Sequence, residues 1–220
     1  PKNIGGVGLY VAPKTFARQM KLLKFCGFQG LSMSAAMPYL RGEKTGKIVV
    51  ITLDDGYRDN VQHALPILKA LNFSATCYLV SDHMGDANDW DASRDNNRKA
   101  LMSWSEATIW HAEGMEIGAH SRTHPRLTGC SDDELTCEIA GCRQILEDKL
   151  GIPVPQFAYP YGDHDVRVVD ATHRAGYAAA VTTVTGYARP NSNLFTLPRL
   201  NIKGSKGWRR ILGSCIQRWI

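Results

Sequence analysis

The sequence predicts an α/β fold in which parallel strands alternate with helices, as an open sheet or a barrel. Short apolar segments rich in β-branched residues alternate along the chain with longer segments of helical periodicity. The clearest strand candidates are apolar throughout, which is typical of strands covered on both faces in a parallel sheet. Reactive side chains directly follow several of these strands, as they do at the carboxyl-terminal rim of a parallel barrel.

Two helices and two strands alternate in the first half of the chain. Phe16, Met20 and Leu23 recur at helical spacing, and a similar pattern follows Asn60. The apolar segments KIVVITL and SATCYLV are the strands, and we expect each to be buried on both faces. In chain order, the sequence predicts a helix over residues 13–26, a strand over 47–53, a helix beginning at 60 and a strand over 74–80.

The alternation continues after a polar loop over residues 82–100. Ser103 with Glu106, and Ser131 with Glu134, have the spacing of capping boxes, in which the two side chains bind backbone amides at the start of a helix. Gly151 is placed to end the second of these helices. The predicted elements are a helix over 103–114, a strand over 115–118, a helix over 131–151, a strand over 156–159, a helix over 166–175 and a strand over 178–184.

The composition is that of one globular domain, which we expect to span residues 1–220. Hydrophobic residues make up 44% of the chain and charged residues 21%, which excludes a disordered chain and a coiled coil. No run approaches the ~18 apolar residues of a transmembrane segment. The six cysteines contain no C-x-x-C pair and are expected to be free thiols. A net charge of +5 is too mild to predict a nucleic-acid partner, and the oligomeric state is left open.

Two neighbouring carboxylates, Asp54 and Asp55, follow the first predicted strand. Two such charges repel each other unless a cation lies between them, and Gly56 permits a turn that brings both into one site. A metal would take one carboxylate as a ligand and leave the other as a base. A surface turn with two solvated acids is the alternative.

The second candidate is the pair His120 and His124, which follows the strand predicted over 115–118. Pro125 disfavours helical backbone at His124, so we expect this segment to be a loop. Two histidines and one carboxylate are a common set of ligands for catalytic Zn²⁺, with one position left open for water. Since such a metal acidifies water and polarises a carbonyl, these residues fit the hydrolysis of an amide or an ester.

These segments resemble the motifs of the polysaccharide deacetylase family, carbohydrate esterase family 4. TLDDGY at 52–57 is similar to the first motif, T-F-D-D-G, and HSRTH at 120–124 is similar to the second motif. FAYPYG at 157–162 is similar to the third motif, R-x-x-P-Y-G. The three occur in the family's order within residues 47–202. The resemblance implies a distorted (β/α) barrel with about seven parallel strands.

The resemblance also implies roles for individual residues. Asp55, His120 and His124 would bind a divalent metal, most often Zn²⁺, with Co²⁺ or Ni²⁺ as alternatives. Asp54 would be the general base, and Tyr161 would donate its backbone N–H to the oxyanion. The substrate would be an N-acetylated sugar or glycan of the N-acetylglucosamine type, and the products would be acetate and a free amine.

The chain departs from the family pattern in three places. Phe157 and Ala158 stand where the third motif usually begins with Arg, and Arg199 is our candidate to supply that charge from a later strand. The fourth motif, an Asp followed by Trp, is not visible between residues 180 and 196. The fifth-motif histidine, which protonates the leaving amine, is missing. His164 follows a strand end and could take this role, as could a water.

Three functions remain open on the sequence alone. The predicted one is metal-dependent removal of N-acetyl groups from a sugar or glycan. Hydrolysis of a small non-sugar amide on the same fold is one alternative, and glycan binding without turnover is another, which the missing histidine favours. The cytoplasm and the periplasm or cell envelope are both compatible with the sequence. Residues 203–220 have the pattern of a basic amphipathic helix, which we expect to pack on the barrel rather than to lie on a membrane surface.

Overall fold

The computed structural model describes residues 11–91 and 98–202, and a curved parallel sheet lies at its centre. Six strands follow one another in the order β3-β4-β5-β6-β7-β8, and a parallel pair, β1 and β2, precedes them. The strands are β1 (Gln29–Leu31), β2 (Ile48–Val50), β3 (Thr52–Leu53), β4 (Thr76–Leu79), β5 (Glu116–Ala119), β6 (Gln156–Ala158), β7 (Ala179–Thr185) and β8 (Leu197–Arg199).

Strands β2 and β3 form one extended segment that is interrupted at Ile51. The amide of Ile51 donates to the carbonyl of Leu31 at 3.0 Å, and its carbonyl accepts from the amide of Thr76 at 2.9 Å. Ile51 therefore joins the β1–β2 pair to the six-stranded sheet. Counted in this way, the described residues form seven parallel strands, and the predicted distorted (β/α) barrel is confirmed.

Six α-helices alternate with the strands in the described residues. The two predicted capping boxes, Ser103 with Glu106 and Ser131 with Glu134, are both formed. Gly151 ends the longest helix in the left-handed conformation, with φ 66°. The helices are α1 (Pro13–Phe25), α2 (Met33–Leu40), α3 (Leu65–Ala70), α4 (Trp104–Ala112), α5 (Asp132–Leu150) and α6 (Val166–Arg174).

The structure differs from the sequence prediction at four places in the first half of the chain. Strand β1 and helix α2 were not predicted, and a π-helix over Asn60–Ala64 precedes α3. The prediction that residues 47–53 are buried on both faces is wrong, because β2 and β3 are only partly buried. The segment passes from the β1–β2 pair to the edge of the larger sheet, where β3 has a neighbouring strand on one side only. Strand β4, in contrast, is fully buried as predicted.

The side chains of the sheet pack into two clusters, one on each face. On β4, Cys77 and Leu79 belong to the outer cluster, which the helices cover, whereas Tyr78 belongs to the inner cluster. Met33 and Met37 of α2 fill the concave side of the sheet together with Tyr78. This short helix thus occupies space that the strands' own side chains fill in a regular eight-stranded barrel.

The structure also bears on the predictions about membrane-spanning helices and cysteines. No helix within residues 11–91 and 98–202 is long and apolar enough to cross a membrane. The cysteines in these ranges are free thiols, as predicted. The amphipathic segment 203–220 lies outside the described residues, and the single domain stays a prediction.

Candidate metal and active site

The predicted metal ligands form a compact cluster at the carboxyl-terminal rim of the sheet. One ligand atom each from Asp55, His120 and His124 lies within 4.8 Å of the other two. Nε2 of His120 is 3.3 Å, and Nε2 of His124 is 3.4 Å, from Oδ1 of Asp55. Ligand atoms bound at about 2.0–2.1 Å around a tetrahedral Zn²⁺ lie about 3.3–3.4 Å apart. The spacing and the N/O donor set therefore both fit such an ion.

A sharp turn after β3 places Asp55 in the cluster. Asp55 and Gly56 both have left-handed backbone, with φ values of 70° and 72°. A Cβ on Gly56 would lie 2.8 Å from Cδ2 of Leu79 in the neighbouring strand, so this position requires glycine for its conformation and for its space. The turn redirects the chain just past the strand, where extended backbone would point Asp54 and Asp55 to opposite faces.

Hydrogen bonds of the backbone amide and of the ring hold His120 in place after strand β5. Its amide donates to the carbonyl of Leu79 at 2.8 Å, and its Nδ1 lies 2.7 Å from the carbonyl oxygen of Ala158. Because a carbonyl oxygen can only accept, we assign the proton to Nδ1, which leaves Nε2 as the ligand atom.

His124 lies in the loop that was expected from Pro125, and its ring is packed between aromatic side chains. Its backbone is left-handed, with φ 64°. The indole of Trp90 stacks on the imidazole at 4.6 Å between ring centroids, and the ring of Tyr161 meets the imidazole edge-on, also at 4.6 Å. Both candidate ligand histidines are buried.

The electrostatics of the cluster favour a positive charge at its centre. Burial opposes ionisation of Asp55, but the neighbouring imidazoles of His120 and His124 hold its pKa well below the usual range. Burial likewise disfavours a charged His120, yet the carboxylates of Asp55 and Asp54 raise its pKa. A divalent cation at this position would neutralise the charge of the Asp55 carboxylate, whereas Arg199 neutralises that of Asp54.

Arg199, the last residue of β8, holds the carboxylate of Asp54 from across the sheet. Its Nη1 donates to Oδ1 at 2.7 Å and its Nη2 donates to Oδ2 at 2.8 Å. Its Nη1 also contacts Oγ1 of Thr52 at 3.1 Å, and its Nε donates to the carbonyl of Thr182 at 2.8 Å. Burial opposes ionisation of Asp54, but the charge and hydrogen bonds of Arg199 lower its pKa below the ordinary value.

The remaining two predicted site residues follow β6, and the structure separates them. Tyr161 has left-handed backbone, with φ 59°, and contacts His124. His164 instead stacks on Tyr159 at 5.2 Å, and its Nδ1 lies 2.8 Å from the carbonyl oxygen of Gly162. Among the described residues, these two contacts keep His164 with Tyr159 and Gly162, and neither places it against the metal cluster or Asp54. Its role as an acid stays a prediction.

Trp90 lies against the candidate ligand His124, a contact that the sequence did not predict. The sequence predicted only a polar loop over residues 82–100. Asn88 anchors this loop, since its Oδ1 accepts from the amide of Lys99 at 2.6 Å and its Nδ2 donates to the hydroxyl of Tyr57 at 3.2 Å. A tryptophan within a loop rich in Asp and Asn was the available signal.

Comparisons with known proteins agree with these features. A family model described as polysaccharide deacetylase matches residues 41–180. The chain is 27% identical to YxkH of Bacillus subtilis (strain 168) over 199 residues, which are 90% of this chain and 67% of that protein. It is 23% identical to the poly-beta-1,6-N-acetyl-D-glucosamine N-deacetylase of Staphylococcus aureus (strain MSSA476) over 196 residues, which are 87% of this chain and 67% of that protein.

A solved structure with a similar fold is the Streptococcus pyogenes deacetylase PplD in complex with acetate. Its TM-score against this chain is 0.83, with 24% identity, over 96% of this chain and 90% of that chain. The similarity at this identity shows the shared fold.

Proposed function

The chain belongs to the polysaccharide deacetylase family, and on this premise we propose that it is a metal-dependent hydrolase that removes N-acetyl groups from a sugar or glycan. The observation that carries the proposal is the arrangement of two adjacent carboxylates. Asp55 lies 3.3 and 3.4 Å from the two histidine nitrogens, whereas Asp54 is held by Arg199. One carboxylate is thus placed to bind a metal and the other to accept a proton.

The substrate class is proposed from the relatives. The Staphylococcus aureus relative is named for N-deacetylation of poly-beta-1,6-N-acetyl-D-glucosamine. A glycan with N-acetylglucosamine units is therefore the first substrate to test for this chain, with acetate and a free amine as products.

The metal would be held by Asp55, His120 and His124. Zn²⁺ fits their donor atoms and their spacing, and Co²⁺ or Ni²⁺ are the alternatives. A bound divalent metal supplies Lewis acidity, which makes water easier to deprotonate near neutral pH and draws charge from a carbonyl oxygen.

Asp54 is the proposed general base. Arg199 keeps its pKa low, so the carboxylate is ionised near neutral pH and ready to accept a proton. Each carboxylate oxygen has about two lone-pair sites, so one remains on each oxygen after Arg199 has bound. The Asp54 side chain is 32% exposed, which leaves the carboxylate within reach of water.

Tyr161 is proposed to donate its backbone N–H to the acetyl oxygen as that oxygen gains negative charge. The contact between its ring and His124 ties this donor to a metal ligand. Loss of one such donor typically costs roughly 2.7–4 kcal/mol in the transition state. The leaving amine must also gain a proton, and a water is favoured over His164, because the ring of His164 is stacked on Tyr159.

Removal of the proposed base gives the first test. Asp54→Asn should lower kcat for acetate release from N-acetylglucosamine oligomers by at least ~10²-fold, because the amide cannot accept the proton. Metal content, measured by elemental analysis, should stay at the wild-type level. A kcat near that of the wild type would contradict the role of Asp54 as base.

Removal of one ligand gives the second test. His120→Ala should lower metal occupancy in elemental analysis, because two ligands remain of three. The matched control is His63→Ala, which removes an exposed histidine of the π-helix and should leave occupancy unchanged. Full occupancy in His120→Ala would contradict the ligand role.

The same acetate assay separates the two alternatives from the proposal. Acetate release from oligosaccharides, but not hydrolysis of small cyclic amides, supports the proposed function. Hydrolysis of the small amides alone would indicate the other hydrolase. Glycan binding without acetate release, even with added Zn²⁺ or Co²⁺, would indicate a binding protein.

A further inference from the structure

We propose that Glu138 of α5 is a positioning residue for the metal ligand His124, and that it acts through the backbone of the loop 121–124 without touching the ligand. This inference rests on the proposed metal site. It concerns a residue outside the three sequence motifs, on a helix packed behind the loop.

The carboxylate of Glu138 makes three hydrogen bonds to two consecutive loop residues. Its Oε2 accepts from the amide of Arg122 at 2.8 Å and from the amide of Thr123 at 2.9 Å. Its Oε1 accepts from the hydroxyl of Thr123 at 2.6 Å. Hydrogen bonds to an ionised carboxylate are stronger than those between neutral groups. The two residues that donate them, Arg122 and Thr123, lie between the two proposed histidine ligands in the sequence.

The loop needs such support because of its backbone conformation. Ser121 and His124 both have φ 64°, a region that costs free energy for residues with a Cβ and persists only where the surroundings hold it. The amide of His124 donates to Oγ of Ser121 at 3.0 Å, which closes the loop on itself. The hydrogen bonds that Arg122 and Thr123 donate to Glu138 hold these two residues, which lie between the left-handed positions.

The two ligand histidines depend on the loop to different degrees. His120 is anchored by its bonds to Leu79 and Ala158, which lie outside the loop. The position of the His124 backbone, in contrast, follows from the path of residues 121–123. Loss of Glu138 should therefore displace His124 rather than His120.

A second anchor on the same loop provides a comparison. Arg122 donates to the carboxylate of Asp82 at 2.8–3.2 Å, and its carbonyl accepts from the amide of Asp82 at 3.1 Å. The ion pair is partly exposed, at 36% and 27% of the two side chains, and such pairs contribute little. The backbone bond between these residues would survive loss of the Asp82 carboxylate. Asp82→Asn should thus affect metal binding less than a change at Glu138.

The test measures metal affinity in three variants by competition with a chromophoric chelator for Zn²⁺. Glu138→Ala should weaken binding by roughly 10–100-fold, the range typical for residues that orient metal ligands. Glu138→Gln should lie between this variant and the wild type, because its amide oxygen can still accept from the two backbone amides. Asp148→Ala is the matched control, since it removes an exposed carboxylate from the same helix and should leave affinity unchanged.

Two further measurements separate positioning from general stability. The visible absorption of the Co²⁺-loaded protein should change in Glu138→Ala and not in Asp148→Ala, because ligand geometry sets this spectrum. The Tm of the metal-free protein, compared among the variants and the wild type, measures any general loss of stability. An affinity within about twofold of the wild type in both Glu138 variants, with an unchanged Co²⁺ spectrum, would overturn the proposal, and so would a fall in Tm alone.

The outcomes also distinguish this inference from the proposed function. If the wild type and the Glu138 variants all bind Zn²⁺ equally well, only the inference about Glu138 is refuted. Weakened variants of a wild type that releases no acetate would refute the proposed activity and support the inference. A wild type that binds no divalent metal would refute both.

Discussion

At the scale of single residues, the contact between Arg199 and Asp54 decides what the proposed base can do. The guanidinium binds both carboxylate oxygens at 2.7 and 2.8 Å, which fixes the orientation of the carboxylate and lowers its pKa against the effect of burial. This geometry requires the planar fork of arginine, because a lysine ammonium acts as a single point charge.

Substitution of Arg199 tests this contact. Arg199→Lys should lower kcat by about 10-fold or more with little change in KM, because the carboxylate keeps a nearby charge and loses its orientation. Arg199→Gln should lower kcat further, while Arg189→Gln, at an exposed position, should match the wild type. Steady-state kinetics on an N-acetylglucosamine oligomer checks this, and a wild-type kcat in Arg199→Gln would show that Asp54 needs no partner.

At the scale of single elements, Glu106 links the start of α4 to the site-bearing segment after β3. Its Oε2 accepts from the amide of Ser103 at 2.8 Å and from Nε of Arg58 at 3.0 Å. Burial opposes its ionisation, but these two partners lower the pKa of Glu106 below its ordinary value. A carboxyl group with a lowered folded pKa stabilises the protein above its unfolded pKa and loses this effect as the pH falls through the folded value.

Glu106→Gln should therefore destabilise the protein in a pH-dependent manner. At neutral pH we expect Tm to fall by roughly 2–4 °C, the shift that ~1 kcal/mol causes in a chain of this size. The difference from the wild type should shrink below about pH 4, where the glutamate itself becomes protonated. Thermal unfolding across this pH range measures the effect. Glu43→Gln, on an exposed glutamate, is the control, and a difference that is constant with pH would exclude the charge as the cause.

The elements that the sequence did not predict are short and are determined by contacts distant along the chain. Strand β1 has three residues, and a Cβ at its Gly30 would lie 2.4 Å from Phe73, so tertiary packing selects this segment. Helix α2 contains Pro38 and is apolar on most of its surface, because it fills the concave face of the sheet. Such a helix has no polar face and so lacks the periodicity by which α1 could be predicted.

At the scale of the whole molecule, what could be predicted depends on how far apart the interacting residues lie in the sequence. The proposed metal ligands belong to two short motifs, and each motif specifies its own turn, as the left-handed Asp55 and His124 show. The partner of Asp54 was proposed from its charge and position, although only the folded sheet brings Arg199 to it. The packing of Trp90 on His124 had only the isolated tryptophan as a signal in the sequence, because the contact depends on how the loop folds back onto the site.

The ion pair between Asp54 and Arg199 also joins the two outermost strands of the six-stranded sheet, β3 and β8. During synthesis on the ribosome, all three proposed ligand residues emerge before β8, because they precede it in the chain. A nascent or truncated chain that ends before residue 199 could therefore gather its metal while the proposed base still lacks its cationic partner. The proposed hydrolysis would then reach its full rate only once β8 has docked and Arg199 has bound Asp54.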